Sequence, residues 1–201
     1  MIEQIAASAL KEVAKEKVIN EVNKKMSPSE LLSKSEANGI SGKDSEKKSI
    51  QKEVDDKNKI NENSEYSKDV NERIRTPEEL EVYQNEELRE GKVNDRTVLK
   101  DDSIDPELTD ERGRTNLERM EKGKAPLDEN GDSYNLHHIG QNSDSPLAEL
   151  KDKTHKSNDS ILHDKSKPTE IHNENSGVDW NKERSEHWKA RAEEIKGDTN
   201  V

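Results

Sequence analysis

The sequence contains no cysteine and no phenylalanine. The first absence excludes a disulfide framework and any Cys-ligated zinc site, so a metal held by this chain must sit on His, Asp or Glu. The second is part of a general shortage of apolar residues. Only 26% of the 201 residues are hydrophobic, while 40% are charged. A chain this polar cannot bury enough apolar surface along its whole length to offset the entropy of ordering it. A small folded region with polar extensions is therefore expected, rather than one large domain. No apolar run approaches the ~20 residues of a membrane span, and the first residues lack the basic start and continuous apolar stretch of a signal peptide. Excess basic charge is missing too: the net charge is -12. This argues against general affinity for nucleic acid, so any contact with DNA or RNA rests on a local basic patch or a metal ion.

The chain divides by pattern into four stretches. Residues 2–26 read as an amphipathic helix, with Ile2, Ile5, Leu10, Val13, Val18 and Val22 near one stripe. A lone helix of this kind is marginal in water, so it is read as docking on a partner or an upstream domain. Residues 27–72, rich in Ser, Asn, Lys, Glu and Asp, read as a disordered polar linker. Residues 73–110 form a helical lead-in. There Thr76-Pro77-Glu78-Glu79 is a capping box with proline at the first helical position, and a helix over about 77–90 is followed by extended or looped chain. Residues 111–196 carry the densest signals. A second capping box, Thr115 to Glu118, starts a short helix, and Asn130-Gly131 marks a turn. Ser133 to Ile139 reads as a strand, and Leu147 to Leu150 is a short apolar run. Thr154 is placed to cap a helix near His155, and Asp179 to cap one running to about Ile195.

All six histidines lie between positions 137 and 187. Histidine is the commonest neutral metal ligand and the usual general base near neutral pH. In a strand, neighbouring side chains point to opposite faces, so the adjacent pair His137-His138 cannot simply share one ion. Either one imidazole binds metal while the other activates water, or one packs while the other is exposed. His155 and His163 are further ligand candidates. Eight residues of continuous helix rise about 12 Å, too far for two imidazoles that must each approach one ion to about 2 Å. If both reach one centre, the helix breaks, and Ser157-Asn158-Asp159-Ser160 is a turn-prone place for it. His172 lies in a polar stretch and reads as exposed. On the last helix Trp180, Arg184, His187, Trp188, Arg191 and Ile195 share one face. There His187 either packs or contacts phosphate together with Arg184 and Arg191.

Several separated blocks carry a family resemblance: Gly113 to Met120, Gly123 to Leu127, Asn135-Leu136-His137-His138-Ile139-Gly140-Gln141, Ser145 to Leu150, and Ile161-Leu162-His163-Asp164. In this order they resemble the LHH family of toxin nucleases, in the HNH/endonuclease VII superfamily, over about residues 72–195. The resemblance implies an α+β fold: a small ββα-metal, treble-clef-like core with flanking helices and a largely helical or disordered N-terminal region. It implies a metal-dependent endonuclease toxin that hydrolyses phosphodiester bonds, with DNA the expected substrate, as the C-terminal module of a bacterial polymorphic toxin. Such a protein is made in the bacterial cytoplasm, exported without a cleaved signal peptide, and acts in the target-cell cytoplasm. The implied partners are nucleic acid, a cognate immunity protein, and an upstream delivery domain or adaptor engaged through residues 2–26.

The family's four histidines map onto His137, His138, His155 and His163. By analogy with HNH sites, His137 binds one divalent ion (Mg, Mn, Ni or Zn) and His138 activates water. His155 and His163 then act as further ligands or catalytic orienting groups. The HNH asparagine that pins the loop before the helix has three competing counterparts, Gln141, Asn142 and Asn158. Two alternative readings stand beside this one. In the first, the histidines hold a structural zinc ion in a non-catalytic interaction module. In the second, the chain is a mobile-element HNH endonuclease with no toxin role.

Overall fold

The computed structural model describes residues 44–166, 171 and 179–198. The helix expected over residues 2–26, the first part of the expected linker, and His172 lie outside them. The chain divides into two compact units, residues 1–56 and 57–201. Of the first unit, the described part is the beginning of helix α1 (Asp44–Asn63). This helix and α2 (Lys68–Arg73) replace the disordered linker expected there. The correction has a simple origin. Ile60 and Val70, sparse apolar residues in a polar stretch, are fully buried in the second unit and anchor the chain around them. Lys57 donates to the carbonyls of Asn71, Glu72 and Ile74, taking up acceptors that the end of α2 leaves open.

Helix α3 (Pro77–Asn85) starts where the capping chemistry placed it, with the Thr76 hydroxyl accepting from the Glu79 amide at 3.2 Å. It ends earlier than expected, and the chain turns into a hairpin of β1 (Arg89–Val93) and β2 (Arg96–Lys100). Asn94 and Asp95 both have positive φ (49° and 61°), as the tight two-residue turn of a twisted hairpin requires. Helix α4 (Asn116–Glu121) has a reciprocal capping box between Thr115 and Glu118. Strand β3 (Asn135–His138), a 3-10 turn (Ile139–Gln141) and β4 (Leu147–Leu150) follow. The short helices α5 (Asp152–Ser157) and α6 (Asp159–Leu162) and the long α7 (Trp180–Asp198) complete the described elements. Helix α5 begins ahead of Thr154, directly after β4, and the Asp179 carboxylate caps α7 through the Lys182 amide at 3.1 Å.

The strands form one mixed sheet in the order β1-β2-β4-β3. β1 and β2 are antiparallel, β2 and β4 parallel, and β3 and β4 antiparallel. Alternation along the strands sends successive residues to two cores. Leu99, Ala148 and Leu150 join Ile60, Val70, Ile74, Leu80, Tyr83 and Leu162 on the face covered by α2, α3 and α6. Val98, Leu136 and Leu147 join Met120, Trp188 and Ala192 on the face covered by α4 and α7. The result is an α+β domain in which β3, β4 and α5 run consecutively as two antiparallel strands and a helix. No helix among the described residues is long and apolar enough to cross a membrane.

Candidate metal centre

The sheet pleat decides where each member of the histidine pair goes. Leu136 faces α7, so His137 faces the other side and His138 returns to the α7 side. His137 pairs across β4 with Ala148, whose small side chain leaves room beside the imidazole. There the His137 ring lies 5.5 Å from that of His155 and 5.0 Å from that of His163, centroid to centroid. The rings of His155 and His163 are 5.1 Å apart. One ligand nitrogen from each of the three lies within 4.8 Å of the others.

A break in the helix brings His155 and His163 together, as the spacing requires. Helix α5 stops at Ser157, and α6 begins at Asp159. Asn158 makes the bend: its side-chain amide donates to the Thr154 carbonyl at 2.9 Å, while its own carbonyl accepts from the amides of Ile161 and Leu162. His163 follows in extended conformation and is tied on both sides. Arg75 Nη2 donates to the Ile161 carbonyl at 2.5 Å. The Asp164 amide donates to Gln141 Oε1 at 2.6 Å. Of the three residues competing as counterpart of the pinning asparagine, Gln141 is the one that ties this segment. The side chains of Asn142 and Asn158 bond within their own turns.

The electrostatics suit a metal. Burial, then the neighbouring His155 and His163, push the His137 pKa well below its usual value. Burial, then His163, lowers that of His155. Both rings are therefore neutral at pH 7 and offer lone pairs. The Asp159 carboxylate lies 3.0 Å from His163 Nδ1, which leaves Nε2 as the ligand atom. Carboxylate–imidazole pairs of this kind orient metal-binding histidines. His137 Nε2 is buried and has no hydrogen-bond partner. A buried nitrogen without a partner is costly, and a divalent ion at the cluster satisfies it. These three residues therefore fit a metal. Among the described residues the cluster is three imidazoles without a carboxylate. This favours Zn, Ni or a similar ion over Mg, which prefers oxygen ligands.

His138 stands apart from the three. Its ring packs on Trp180 at 4.8 Å, and its Nε2 lies 3.3 Å from the Glu183 carboxylate. Glu183 is in turn paired with the Arg96 guanidinium, which also donates to the carbonyls of Ser143 and Ser145. His187 and Arg191 also fall on this face, and here the phosphate-contact expectation is corrected. Both are buried and converge on Glu149 of β4, at 2.8 and 2.9 Å. They hold α7 to the sheet and are not at the surface. Arg184 is exposed. The sequence reading missed Arg75, Asp159, Arg96 and Glu183. Asp159 had a local signal, lying four residues before His163 on a short helix, whereas Arg75 acts across 86 positions.

Residues 115–194 match the LHH family, described as a nuclease of the HNH/ENDO VII superfamily with conserved LHH. Leu136-His137-His138 lies inside the match. No solved structure matches the chain significantly. The matched segment is similar to this family, and the enzyme is a nuclease, a phosphodiester hydrolase.

Proposed function

We propose that this LHH-family domain is a metal-dependent endonuclease acting on DNA, with one divalent ion held by His137, His155 and His163. The observation that carries the metal assignment is the convergence of three imidazoles, one of them the buried His137, whose Nε2 has no hydrogen-bond partner. Among the described residues three protein ligands converge, which leaves room for substrate or water, as a catalytic site requires, whereas a structural zinc site is closed by four. This favours catalysis over the interaction-module reading. The bound ion supplies Lewis-acid polarisation of the scissile phosphate and stabilisation of the leaving oxygen. His138 is the proton acceptor of the proposal. The Glu183 carboxylate lies 3.3 Å from its Nε2, and Trp180 and Glu183 together hold the ring in one orientation. Plasmid DNA incubated with the purified chain and Mg²⁺, Mn²⁺, Ni²⁺ or Zn²⁺ is expected to be cut. Absence of cleavage by folded protein under all four ions would overturn the proposal. His138→Ala is expected to abolish cleavage and keep metal binding, and His137→Ala to lose the metal. The reverse pattern would exchange their roles.

The biological setting belongs to the same proposal and is supported by the sequence resemblance. The domain is a toxin used between competing bacteria. It is exported to act in the target-cell cytoplasm and is blocked by a cognate immunity protein. Residues 2–26 engage an upstream delivery domain or adaptor. Expression in a bacterium lacking the immunity protein is expected to arrest growth, and His155→Ala to relieve the arrest. Normal growth with an active nuclease would instead indicate a mobile-element endonuclease.

A further inference from the structure

Strand β3 is an outer strand of the sheet, and a cleft of about 490 Å³ opens at its start, where Ser133, Tyr134 and Asn135 line it. The cleft passes between α5 on one side and the end of α4 with α7 on the other. Four cationic side chains line it, Arg119, Lys124, Lys156 and Arg184, against two carboxylates, Asp132 and Asp152. This local excess of positive charge stands out in a chain whose net charge is -12. Arg119 is committed to the wall, pairing with Asp110 at 3.2 Å and donating to the Ala125 carbonyl at 3.1 Å. Lys156 is paired with Asp152 at 2.6 Å but remains largely exposed. Lys124 and Arg184 are exposed, and neither makes an ion pair among the described residues. The α4–α7 contact brings them together: at Gly123, φ is 70° and an added Cβ would lie 2.0 Å from Ser185 Oγ. This close approach sets Lys124 beside the turn of α7 that carries Arg184.

The cleft shares its framework with the metal centre. Strand β3 carries Asn135 in the cleft and His137 in the cluster, and α5 carries Lys156 in the cleft and His155 in the cluster. Two strand residues span roughly 6.7 Å, so a chain lying in the cleft arrives beside the three imidazoles. The cleft offers charge and little that reads bases. Tyr134 is buried, with its hydroxyl on Asp101, and the Asn135 amide is taken up by Asp152. Contacts of this kind hold phosphates and carry no sequence information.

Building on the nuclease reading above, we propose that the β3-edge cleft binds the sugar–phosphate backbone flanking the scissile bond, through Lys124, Lys156 and Arg184, without regard to base sequence. The test is fluorescence anisotropy of the full chain with labelled DNA duplexes of two unrelated sequences, in EDTA and over a range of salt. Lys124→Glu/Arg184→Glu is expected to weaken binding by at least ~10-fold and to lower the salt slope by about 1.8, two contacts' worth. Nickel affinity, read by calorimetry on the same variant, is expected to stay unchanged. The control Lys92→Glu/Lys189→Glu makes the same change in net charge at two exposed residues that do not line the cleft and is expected to bind as wild type does. Lys124→Gln/Arg184→Gln covers the case in which the reversed charges disturb folding, and is expected to act in the same direction. Equal affinity and salt slope in wild type and both cleft variants would overturn the cleft assignment while leaving the nuclease reading intact. A preference of more than ~10-fold between the two sequences would overturn its sequence neutrality. A wild-type chain that neither binds nor cleaves nucleic acid would overturn the nuclease reading, and the cleft assignment with it.

Discussion

Glu149 offers the sharpest test of how the domain is held together. Its carboxylate is fully buried and accepts from the Asp101 amide at 2.9 Å and from Arg191 Nε at 2.9 Å, with His187 Nε2 at 2.8 Å. Arg191 sends its other donors to Glu194 at 2.7 Å and to the Asp101 carbonyl at 3.3 Å. Glu149→Leu keeps the approximate volume but leaves the Arg191 charge buried without its buried counterion. Breaking such a pair from one side costs about 3–5 kcal/mol. The Asp101 amide also loses its acceptor, worth about 1–3 kcal/mol alone, but both losses fall in one relaxing pocket and do not simply add. With roughly 2–4 °C of melting temperature per kcal/mol for a domain of this size, a loss of 3–5 kcal/mol predicts a drop of about 6–20 °C. Thermal melts followed by circular dichroism measure it. Glu149→Leu/Arg191→Met/His187→Leu, which replaces the whole network by apolar groups, is expected to recover much of the loss. A single variant melting within about 2 °C of wild type would show that the network does not hold α7, and the burial argument against phosphate contact by Arg191 and His187 would fail.

Three smaller perturbations probe the rest of the framework. Gln141→Ala removes the acceptor of the Asp164 amide beside His163 and is expected to weaken metal binding about tenfold, read by calorimetry. Unchanged affinity would deny Gln141 a part in holding the ligand. Gly140 has φ 78°, and an added Cβ would sit 2.9 Å from the Arg73 carbonyl oxygen. Gly140→Ala is therefore expected to destabilise by about 1–3 kcal/mol, and a neutral denaturation midpoint would contradict the tight contact between this turn and α2. Thr115→Ala removes one half of a capping box remote from the histidines and is expected to cost about 1 kcal/mol with no change in metal affinity.

The parts of this structure that were legible in the sequence are those decided by local chemistry. Thr76 and Thr115 announce their helices because a hydroxyl and a carboxylate three residues apart satisfy open amides wherever they occur. The strand period alone sent His137 and His138 to opposite faces, and the rise of a helix alone required the break at Asn158. The β1–β2 hairpin was harder to see. β1 lies at a sheet edge and reads Arg-Glu-Gly-Lys-Val, with only Val93 buried, so it carries almost no apolar alternation. Its one signal was the Asn94-Asp95 turn. Helix α1 was hidden for a similar reason, since a single fully buried residue, Ile60, secures its end. Glu149 was misleading in the opposite sense. It sits inside an apolar run and is as buried as its neighbours, because partners 38 and 42 positions away arrive to meet it. Long-range pairing of that kind leaves no trace in local pattern.

The family match begins at residue 115, but the physical unit that carries the metal centre begins earlier. β4 sits between β3 and β2, so without β2 the strand opposite His137 would have an open edge. The core beneath the histidines is built largely from residues ahead of the match: Ile60, Val70, Ile74, Leu80, Val82, Tyr83, Leu88 and Leu99 pack with Ile139, Ala148, Leu150 and Leu162. One lead-in residue also reaches the centre. The Arg75 guanidinium bonds to the Ile161 carbonyl and to Glu79, which is fully buried and accepts from the Tyr83 hydroxyl. A doubly anchored donor just ahead of α3 thus fixes the short segment from which His163 extends. The matched segment supplies all three imidazoles, and residues 57–114 supply much of the surface that holds them at ligand distance. The nuclease of this chain is therefore a larger object than its LHH motif, and the three imidazoles of its candidate metal site are held by residues that the motif does not contain.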